Sequence, residues 1–208
     1  ALQNPNSLLD YSEVSKPGDF NYIYRPGDDT YLMVDTLFAD IDFILSKKPF
    51  YICELGTGSG FVCNNLSQRL HSLNYHNFHC LCTDINIEAC LFTRNFAHHF
   101  NLTNDPLLTK YLEGIRSSSL DLLLCNPPYV VTEQSELKSM QSAVKRKLQL
   151  LDKIVKENGG QIDAEELRKE NCVEAAWVGG EGGIEFFDNI LSEALRVLKS
   201  GGLSYFLV

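Results

Sequence analysis

The chain has 208 residues, of which 44% are hydrophobic and 22% charged, an ordinary balance for a soluble globular domain. No apolar run approaches the roughly 18 residues that a membrane-spanning helix needs, and no signal peptide is apparent, so we expect a cytoplasmic protein with no membrane contact. The formal charge of −9 opposes non-specific binding to the phosphate backbone of nucleic acids.

The cysteines and histidines indicate no metal centre. The seven cysteines lie mostly inside apolar stretches, as Cys53, Cys80, Cys82 and Cys125 do, which is typical of small core residues in a reducing compartment. The sequence contains neither a C-x-x-C pair nor histidines at ligand spacing, so we predict no bound metal.

The chain begins with a polar, aromatic-containing stretch, 1–24, that predicts no regular element. Residues 28–46 then predict a helix that is capped at Asp28 or Asp29 and carries Leu32 and Phe43 on its apolar face.

From residue 50 onward, strands and helices alternate. The predicted strands are 50–55, 78–83, 100–104, 120–125 and 203–208. The predicted helices are 61–72, 86–99 and 184–199, the last ended by the glycines at 201 and 202. Because the strands are continuously apolar, we expect a mostly parallel sheet with helices on both faces. The pattern predicts a single Rossmann-like α/β domain over 1–208.

Residues 133–173 interrupt this alternation and predict a helical insertion. Its first part is a long helix with one apolar stripe, formed by Leu137, Met140, Val144, Leu148, Leu151 and Ile154. The sequence Asn-Gly-Gly at 158–160 ends that helix, and Asp163 with Glu166 predicts the start of a second, short one.

A glycine-rich loop, 54–60 (ELGTGSG), joins the first predicted strand to the next helix. Gly56 and Gly58 allow a tight turn and let a ligand lie against the backbone. Glu54 and Asp84 end the first two strands, and in a parallel sheet those ends border one crevice. Asp84 is placed to accept both hydroxyl hydrogens of a ribose, although an aspartate there would also serve as a helix N-cap. Since no P-loop lysine follows, the combination favours a nucleoside without phosphates, such as S-adenosylmethionine.

The tetrapeptide 126–129 (NPPY) follows the fourth predicted strand and is the most specific feature of the sequence. Pro127 and Pro128 prevent continuation of the strand and fix a rigid turn. We expect the Asn126 side-chain oxygen and the Pro127 carbonyl to accept the two hydrogens of one NH2 group, and Tyr129 to stack on the planar group beside it. The tetrapeptide is therefore the predicted catalytic element, which positions a planar nitrogen against a methyl donor.

These motifs resemble those of the HemK-type class I methyltransferases, in particular the eukaryotic and archaeal glutamine methyltransferases of translation termination factors. The resemblance runs from about Tyr24 to Val208, outside the insertion. The matching segments are 25–30 (RPGDDT), 54–60, 83–86 (TDIN), 126–132 (NPPYVVT) and 174–180 (EAAWVGG). The NPPY tetrapeptide alone is shared with DNA adenine methyltransferases, whereas NPPYVVT together with EAAW-x-GG is much narrower.

The resemblance implies S-adenosyl-L-methionine as cofactor and N5-methylation of the Gly-Gly-Gln glutamine of a class I release factor as reaction. The implied cofactor contacts are Thr30, Glu54, Gly56, Gly58, Asp84, Asp105 and Asn126. Among them, Thr30 would meet the methionine end, Asp84 the ribose hydroxyls and Asp105 the adenine amino group. Trp177, in the EAAW segment, is expected in the core rather than in the site.

The resemblance also implies a partner and reveals departures from the family. Family members commonly require a small zinc-binding activator subunit, which adds a strand beside the third strand, so a heterodimer is expected. The insertion is longer than the usual linker, and the family has a further helix and an antiparallel hairpin beyond the fifth strand. Residues 159–161 read Gly-Gly-Gln. A helix-ending Gly-Gly beside an ordinary glutamine explains them, and self-methylation or pseudosubstrate inhibition is the alternative.

Three other functions are the alternatives to this one. Adenine N6-methylation of nucleic acid would use the same chemistry on a flipped base, but the acidic charge and the lack of an evident target-recognition domain oppose it. Protein lysine methylation needs a deprotonating step that NPPY does not supply. A non-catalytic scaffold would have no need of the glycine loop, Asp84 and NPPY together.

Overall fold

The computed structural model describes residues 7–128, 130–131, 133–157, 176, 178–180 and 185–207. The helices are α1 Asp28–Ala39, α2 Ile41–Ser46, α3 Phe61–Ser72, α4 Ile87–His99, α5 Gln134–Glu157 and α6 Glu185–Val197. The strands are β1 Tyr51–Leu55, β2 His79–Asp84, β3 Asn104–Leu108, β4 Leu120–Cys125, β5 Val130–Val131, β6 Val178–Gly180 and β7 Leu198–Phe206. Among the described helices, none is both long and apolar enough to cross a membrane.

The five longer strands form one sheet in the order β3-β2-β1-β4-β7, and every neighbouring pair is parallel. The chain moves outward from β1 through β2 to β3 and then returns to β4 on the other side of β1. This reversal creates a switch point between β1 and β4, where α/β sheets of this kind bind their ligands.

Apolar side chains cover both faces of the sheet, as the continuously apolar strands predict. On one face, helices α1 to α4 share a hydrophobic cluster with strand residues such as Ile52 and Leu122. On the other face, Ile190, Ala194 and Val197 of α6 pack with alternate strand residues such as Cys53. Because neighbouring strand residues point to opposite faces, a strand buried on both sides must be apolar throughout.

The predicted helix over 28–46 is two helices, separated at Asp40. Leu32 and Phe43, predicted on its apolar face, are 56% and 50% exposed, whereas Met33 and Leu37 are buried. Apolar residues occupy more than one side of this segment, so their spacing alone did not identify the buried side. The N-cap is Gly27 rather than Asp28 or Asp29.

Two other boundaries differ from the prediction. Strand β3 begins at Asn104, not at 100, because Asn101 adopts a left-handed turn with φ 56° just after α4. Strand β7 begins at Leu198 rather than 203, and its pairing with β4 jumps between Leu120 and Leu122. The glycines that were expected to end the last helix lie in this irregular part of β7, where Gly201 has φ 80°.

The structure also orders segments for which the sequence predicted no element. Leu9 and Ile23, from the stretch before α1, are buried in the main hydrophobic cluster. Strands β5 and β6 pair in a small parallel sheet at the two ends of the insertion. The long insertion helix is confirmed as α5, whereas the short helix predicted from Asp163 lies outside the described residues.

Candidate active site

The carboxyl ends of three neighbouring strands bring the main sequence motifs together. Leu55 of β1 pairs with Thr83 of β2 on one side and with Cys125 of β4 on the other. The residues that follow these three are Gly56, Asp84 and Asn126, and paired strands lie only about 4.8 Å apart. The glycine loop, Asp84 and Asn126, the first residue of NPPY, therefore border one crevice, as the sequence predicted.

The glycine loop turns tightly over the end of β1 and leaves open space beside Gly56. Gly56, Gly58 and Gly60 have φ values of 70°, 53° and 70°, in the left-handed region that residues other than glycine rarely adopt. A Cβ added at Gly56 would meet nothing within 4 Å, whereas one at Gly60 would lie 2.6 Å from the Thr93 side chain. Gly60 therefore serves close packing, and the backbone at Gly56 is open to a ligand.

Glu54 is buried beneath this loop. Its Oε2 accepts hydrogen bonds from the Thr57 hydroxyl (2.9 Å) and from the Cys63 backbone N–H in the first turn of α3 (3.1 Å). Burial raises the pKa of the Glu54 carboxyl well above its usual value, while these hydrogen bonds from Thr57 and Cys63 oppose that rise. Both contacts lie within the loop and the helix that it opens, so Glu54 fixes the shape of the ligand-facing backbone.

Glu54, Cys63 and Cys82 place their donor atoms within 4.8 Å of one another, a spacing at which a metal ion could be held. Each of the three groups also has a protein partner: Cys82 Sγ donates to Cys63 Sγ (3.1 Å), and Cys63 Sγ donates to the Gly60 carbonyl (3.3 Å). No observation tests the prediction that the protein binds no metal, and it stays a prediction.

Asp84 lies in the crevice with both carboxylate oxygens held by backbone amides. Oδ2 accepts from Gly58 N–H (3.0 Å) and Oδ1 from Asn86 N–H (2.8 Å). Burial raises the pKa of Asp84 above its usual value, although these hydrogen bonds and the charge of Lys147 partly oppose the rise. The N-cap of α4 is Asn86, whose side chain accepts from Glu88 N–H, so the alternative interpretation of Asp84 as that cap is wrong. Each oxygen retains a lone pair for a further donor.

Asn126 presents an unused acceptor at the end of β4. Its Nδ2 donates to Asp29 Oδ2 (3.0 Å), and since a carboxylate only accepts, the amide must turn its NH2 toward Asp29. Its Oδ1 is buried and has no hydrogen-bond partner among the described residues. A buried acceptor without a partner costs about 1–3 kcal/mol, so a site of this kind requires an explanation. A ligand NH2 group would supply the missing donor.

Asp29 is a site residue for which the sequence predicts only a helix cap. Its carboxylate also accepts from the Tyr24 hydroxyl (3.1 Å) and from the backbone N–H of Thr30 (2.7 Å). Thr30 is buried beside it, and its hydroxyl accepts from Gly27 N–H (3.2 Å). The signal that could have revealed Asp29 was its place in the RPGDDT segment.

Other predicted site residues divide into three groups. Pro127 and Pro128 are buried directly after Asn126, while Tyr129 lies outside the described residues. Asp105 is exposed at the second position of β3, opposite Leu81. It precedes the carboxyl end of that strand by three residues, so the structure does not bring it to the crevice.

The small sheet of β5 and β6 connects two separate sequence motifs. Val130, just after NPPY, pairs with Val178, and Val131 pairs with Gly180. Residues 130–131 and 178–180, which belong to two motifs separated by the 41 positions 133–173, therefore meet in space. Trp177 and the first residues of the EAAW segment lie outside the described residues.

Comparisons with known proteins find methyltransferases, although no family model matches the chain. The mouse protein Methyltransferase HEMK2 is 30% identical over 199 residues, which cover 94% of this chain and 75% of the mouse protein. The eRF1 methyltransferase catalytic subunit mtq2 of Schizosaccharomyces pombe is 25% identical over 198 residues, or 90% of this chain and 72% of the yeast protein. The solved catalytic domain of human Mettl16, in complex with the MAT2A 3'UTR hairpin 1, shares the fold with a TM-score of 0.51 at 15% identity. That match covers 88% of this chain and 55% of the other.

Proposed function

Because the chain belongs to the HemK-type methyltransferases, as a relative of HEMK2, we propose that it methylates N5 of the Gly-Gly-Gln glutamine in a class I release factor. The methyl donor is S-adenosyl-L-methionine. The observation that carries the proposal is the buried Asn126 Oδ1, an acceptor without a partner at the end of β4. A primary amide nitrogen is a donor that fits this acceptor.

The crevice has the features that the cofactor requires. The open backbone at Gly56 allows a close approach, and Asp84 retains acceptor capacity for two ribose hydroxyls. Bound there, S-adenosyl-L-methionine supplies an electrophilic methyl group on a sulfonium. Glu54 holds the loop from beneath, and Thr30 lies beside Asp29 at the start of α1, where we propose the methionine end to lie.

The protein's own contribution is to hold the substrate amide. Asn126 Oδ1 accepts one amide hydrogen and the Pro127 carbonyl accepts the other, which directs the nitrogen lone pair at the methyl group. Asp29 keeps Asn126 in the required orientation. Positive charge develops on the nitrogen as the new bond forms, and two fixed oxygens stabilise it. A surplus proton leaves after transfer, so no strong base is needed. The tetrapeptide 126–129, including Tyr129 as a stacking surface, forms this half of the site.

A methyl-transfer assay with labelled cofactor tests the substrate. It compares a release factor, the same factor with its Gly-Gly-Gln glutamine replaced, and duplex DNA containing adenine. Label only in the unaltered release factor supports the proposal. Equal label in the altered factor, or label in the DNA, contradicts it.

Replacing Asn126 tests the mechanism. We expect Asn126→Ala to keep the dissociation constant for cofactor within a few-fold and to lower kcat by about two orders of magnitude, because one fixed acceptor is lost. The matched control is Asn95→Ala, which removes an exposed asparagine from α4. Isothermal titration and steady-state kinetics give both quantities, and an unchanged kcat for Asn126→Ala would defeat the mechanism.

We also propose a small zinc-binding activator subunit as partner and a cytoplasmic location, where translation termination takes place. Strand β3 is at the edge of the described sheet and offers backbone groups for an added strand. The yeast relative is named as a catalytic subunit, which implies a second subunit in that protein. Co-expression with such an activator should raise soluble yield and activity. No change in either would count against the partner.

A further inference from the structure

Helix α5, the first part of the insertion, carries a lysine that is almost completely buried. Lys147 is 1% exposed, and its Nζ donates to Asn86 Oδ1 over 3.0 Å. A buried ammonium group is costly unless dipoles or opposite charges surround it. Its position in the fold therefore calls for a physical reason.

The surroundings of Lys147 join α5 to the loop after β2. Asn86, its partner, caps α4 and also donates through Nδ2 to the Tyr22 carbonyl (2.6 Å). The Asn86 backbone N–H binds the Asp84 carboxylate. Asn86 therefore connects the Lys147 ammonium group to Asp84, and the charge of Lys147 lowers the pKa of the Asp84 carboxyl.

Apolar packing places α5 over the same end of the sheet. Leu150, three residues after Lys147, packs against Ile87 at the start of α4, and Leu108 at the end of β3 packs against the same Ile87. The backbone N–H of Thr109, the next residue, donates to the Asp84 carbonyl (2.9 Å). Helix α5 therefore lies against the loop after β2 and the start of α4, on the Asp84 side of the crevice.

We propose that α5 is a wall of the cofactor site at its adenosine end, and that Lys147 is the positioning residue that fixes this wall to Asn86 and Asp84. The inference rests on the proposed function, since it requires Asp84 to bind the ribose. Lys147 acts on the cofactor through Asp84 and through the placement of α5, and it does not touch the methyl group. Its loss should therefore weaken cofactor binding and leave the transfer step unchanged.

Three variants of the full chain test the inference by isothermal titration with S-adenosylhomocysteine, which binds without reaction. We expect Lys147→Met to weaken binding at least about fivefold. Lys147→Arg, which keeps the charge, should recover part of that loss. The control Lys145→Met, an exposed lysine on the same helix, should bind as the wild type does. At saturating cofactor, kcat of Lys147→Met should stay within about twofold of the wild type.

A pH profile separates this role from a merely structural one. The titratable groups that face Asp84 are Lys147 of α5 and Cys90 of α4. The backbone amides of Gly58 and Asn86 also face it. Without the cation, Asp84 becomes protonated at a higher pH, so binding to Lys147→Met should weaken at a higher pH than binding to the wild type. A general loosening of the fold would weaken binding equally at every pH.

Hydrogen exchange on the wild type keeps the test decisive if Lys147→Met does not fold. S-adenosylhomocysteine should slow amide exchange in α5 as well as in the glycine loop. Binding by the wild type without protection of α5, or equal binding by a folded Lys147→Met, would overturn the inference. A wild type that binds no cofactor would instead refute the proposed function.

Discussion

Asn126 and Asp29 show how one carboxylate determines which atom of an amide faces a substrate. Asn126 alone could present either its oxygen or its NH2 group to the crevice. The Asp29 carboxylate accepts the NH2 group at 3.0 Å, which leaves Oδ1 toward the site. Tyr24 and Thr30 donate to the same carboxylate and hold it in place. The side chains of Asn126 and Tyr24 and the backbone of Thr30 all donate to this carboxylate, so the position favours an acceptor.

Replacing this acceptor should therefore disturb catalysis through Asn126. We expect Asp29→Asn to lower kcat by about tenfold to a hundredfold, since a misplacement of about 1 Å at a reacting group has effects of that size. The control is Asp35→Asn, an exposed aspartate on the same helix. Steady-state kinetics at saturating cofactor would show the effect, and wild-type kcat in Asp29→Asn would refute the positioning role.

At the scale of elements, the loop between β1 and α3 combines two different uses of glycine. Gly56 and Gly60 have the same φ of 70°. Gly56 faces open space, whereas Gly60 lies against Thr93 of α4 and Asn64 of α3. The first glycine leaves room for a ligand, and the second allows two helices to pack beneath the loop.

The matched pair Gly56→Ala and Gly60→Ala separates backbone strain from steric clash. Each variant forces alanine into a left-handed conformation, which costs about 1–2 kcal/mol. Gly60→Ala adds overpacking against Thr93 and Asn64, worth about a further 1–3 kcal/mol. Urea unfolding gives the free energy of unfolding of both variants. Equal losses in the two would contradict the packing role of Gly60.

The edge strand β3 shows why some element boundaries could not be predicted. Its sequence, NDPLL, contains a proline, which a strand tolerates at a sheet edge but rarely at its centre. The position of the strand is set from outside it, because Asn104 accepts from Ser67 and donates to Asn64 of α3. These contacts span 37 and 40 residues, so local spacing carried no information about them.

At the scale of the whole molecule, Asp121 connects β4 with β1 and β7 at the amino-terminal ends of the strands, which lie opposite the crevice. Its Oδ2 accepts from the backbone N–H groups of Phe50 (3.0 Å) and Tyr51 (2.9 Å) beside β1. Lys199 of β7 donates to both carboxylate oxygens, at 2.8 and 2.9 Å. Burial raises the pKa of Asp121, but Lys199 and the two amides outweigh burial, so the pKa is lowered.

This shift predicts how acid affects folding. The folded-state pKa of Asp121 lies below its unfolded value, so its stabilising effect is present above the unfolded pKa and lost as pH falls through the folded one. We expect Asp121→Asn to lower the free energy of unfolding by about 1–2 kcal/mol at neutral pH. The difference from the wild type should close in acid. A double-mutant cycle with Lys199→Met isolates the ion pair, and a difference that persists unchanged in acid would contradict this account.

In the insertion helix α5, the sequence predicted the extent of the element but not which polar residue it buries. The spacing of apolar residues predicts a long helix and Asn-Gly-Gly at 158–160 predicts its end, and α5 ends at Glu157. The predicted stripe includes Leu148, which is only partly buried, and omits its neighbour Lys147, which is 1% exposed. Positions 137, 140, 144, 147, 151 and 154 alternate steps of three and four, and a lysine within that repeat was the available signal. Its partner, Asn86, is 61 residues away, so the reason for its burial could not be found locally.

The sequence by itself determined the parallel sheet, its covering helices and the meeting of the glycine loop, Asp84 and NPPY at one edge. These follow from local rules, since continuously apolar strands must be buried on both faces and parallel strands end on the same side. Only the tertiary structure decided the orientation of Asn126 by Asp29, the position of Asp105 away from the crevice, the pairing of β5 with β6, and the burial of Lys147. Each of these depends on side chains or strands distant in the chain, whose contacts arise from packing rather than from sequence periodicity.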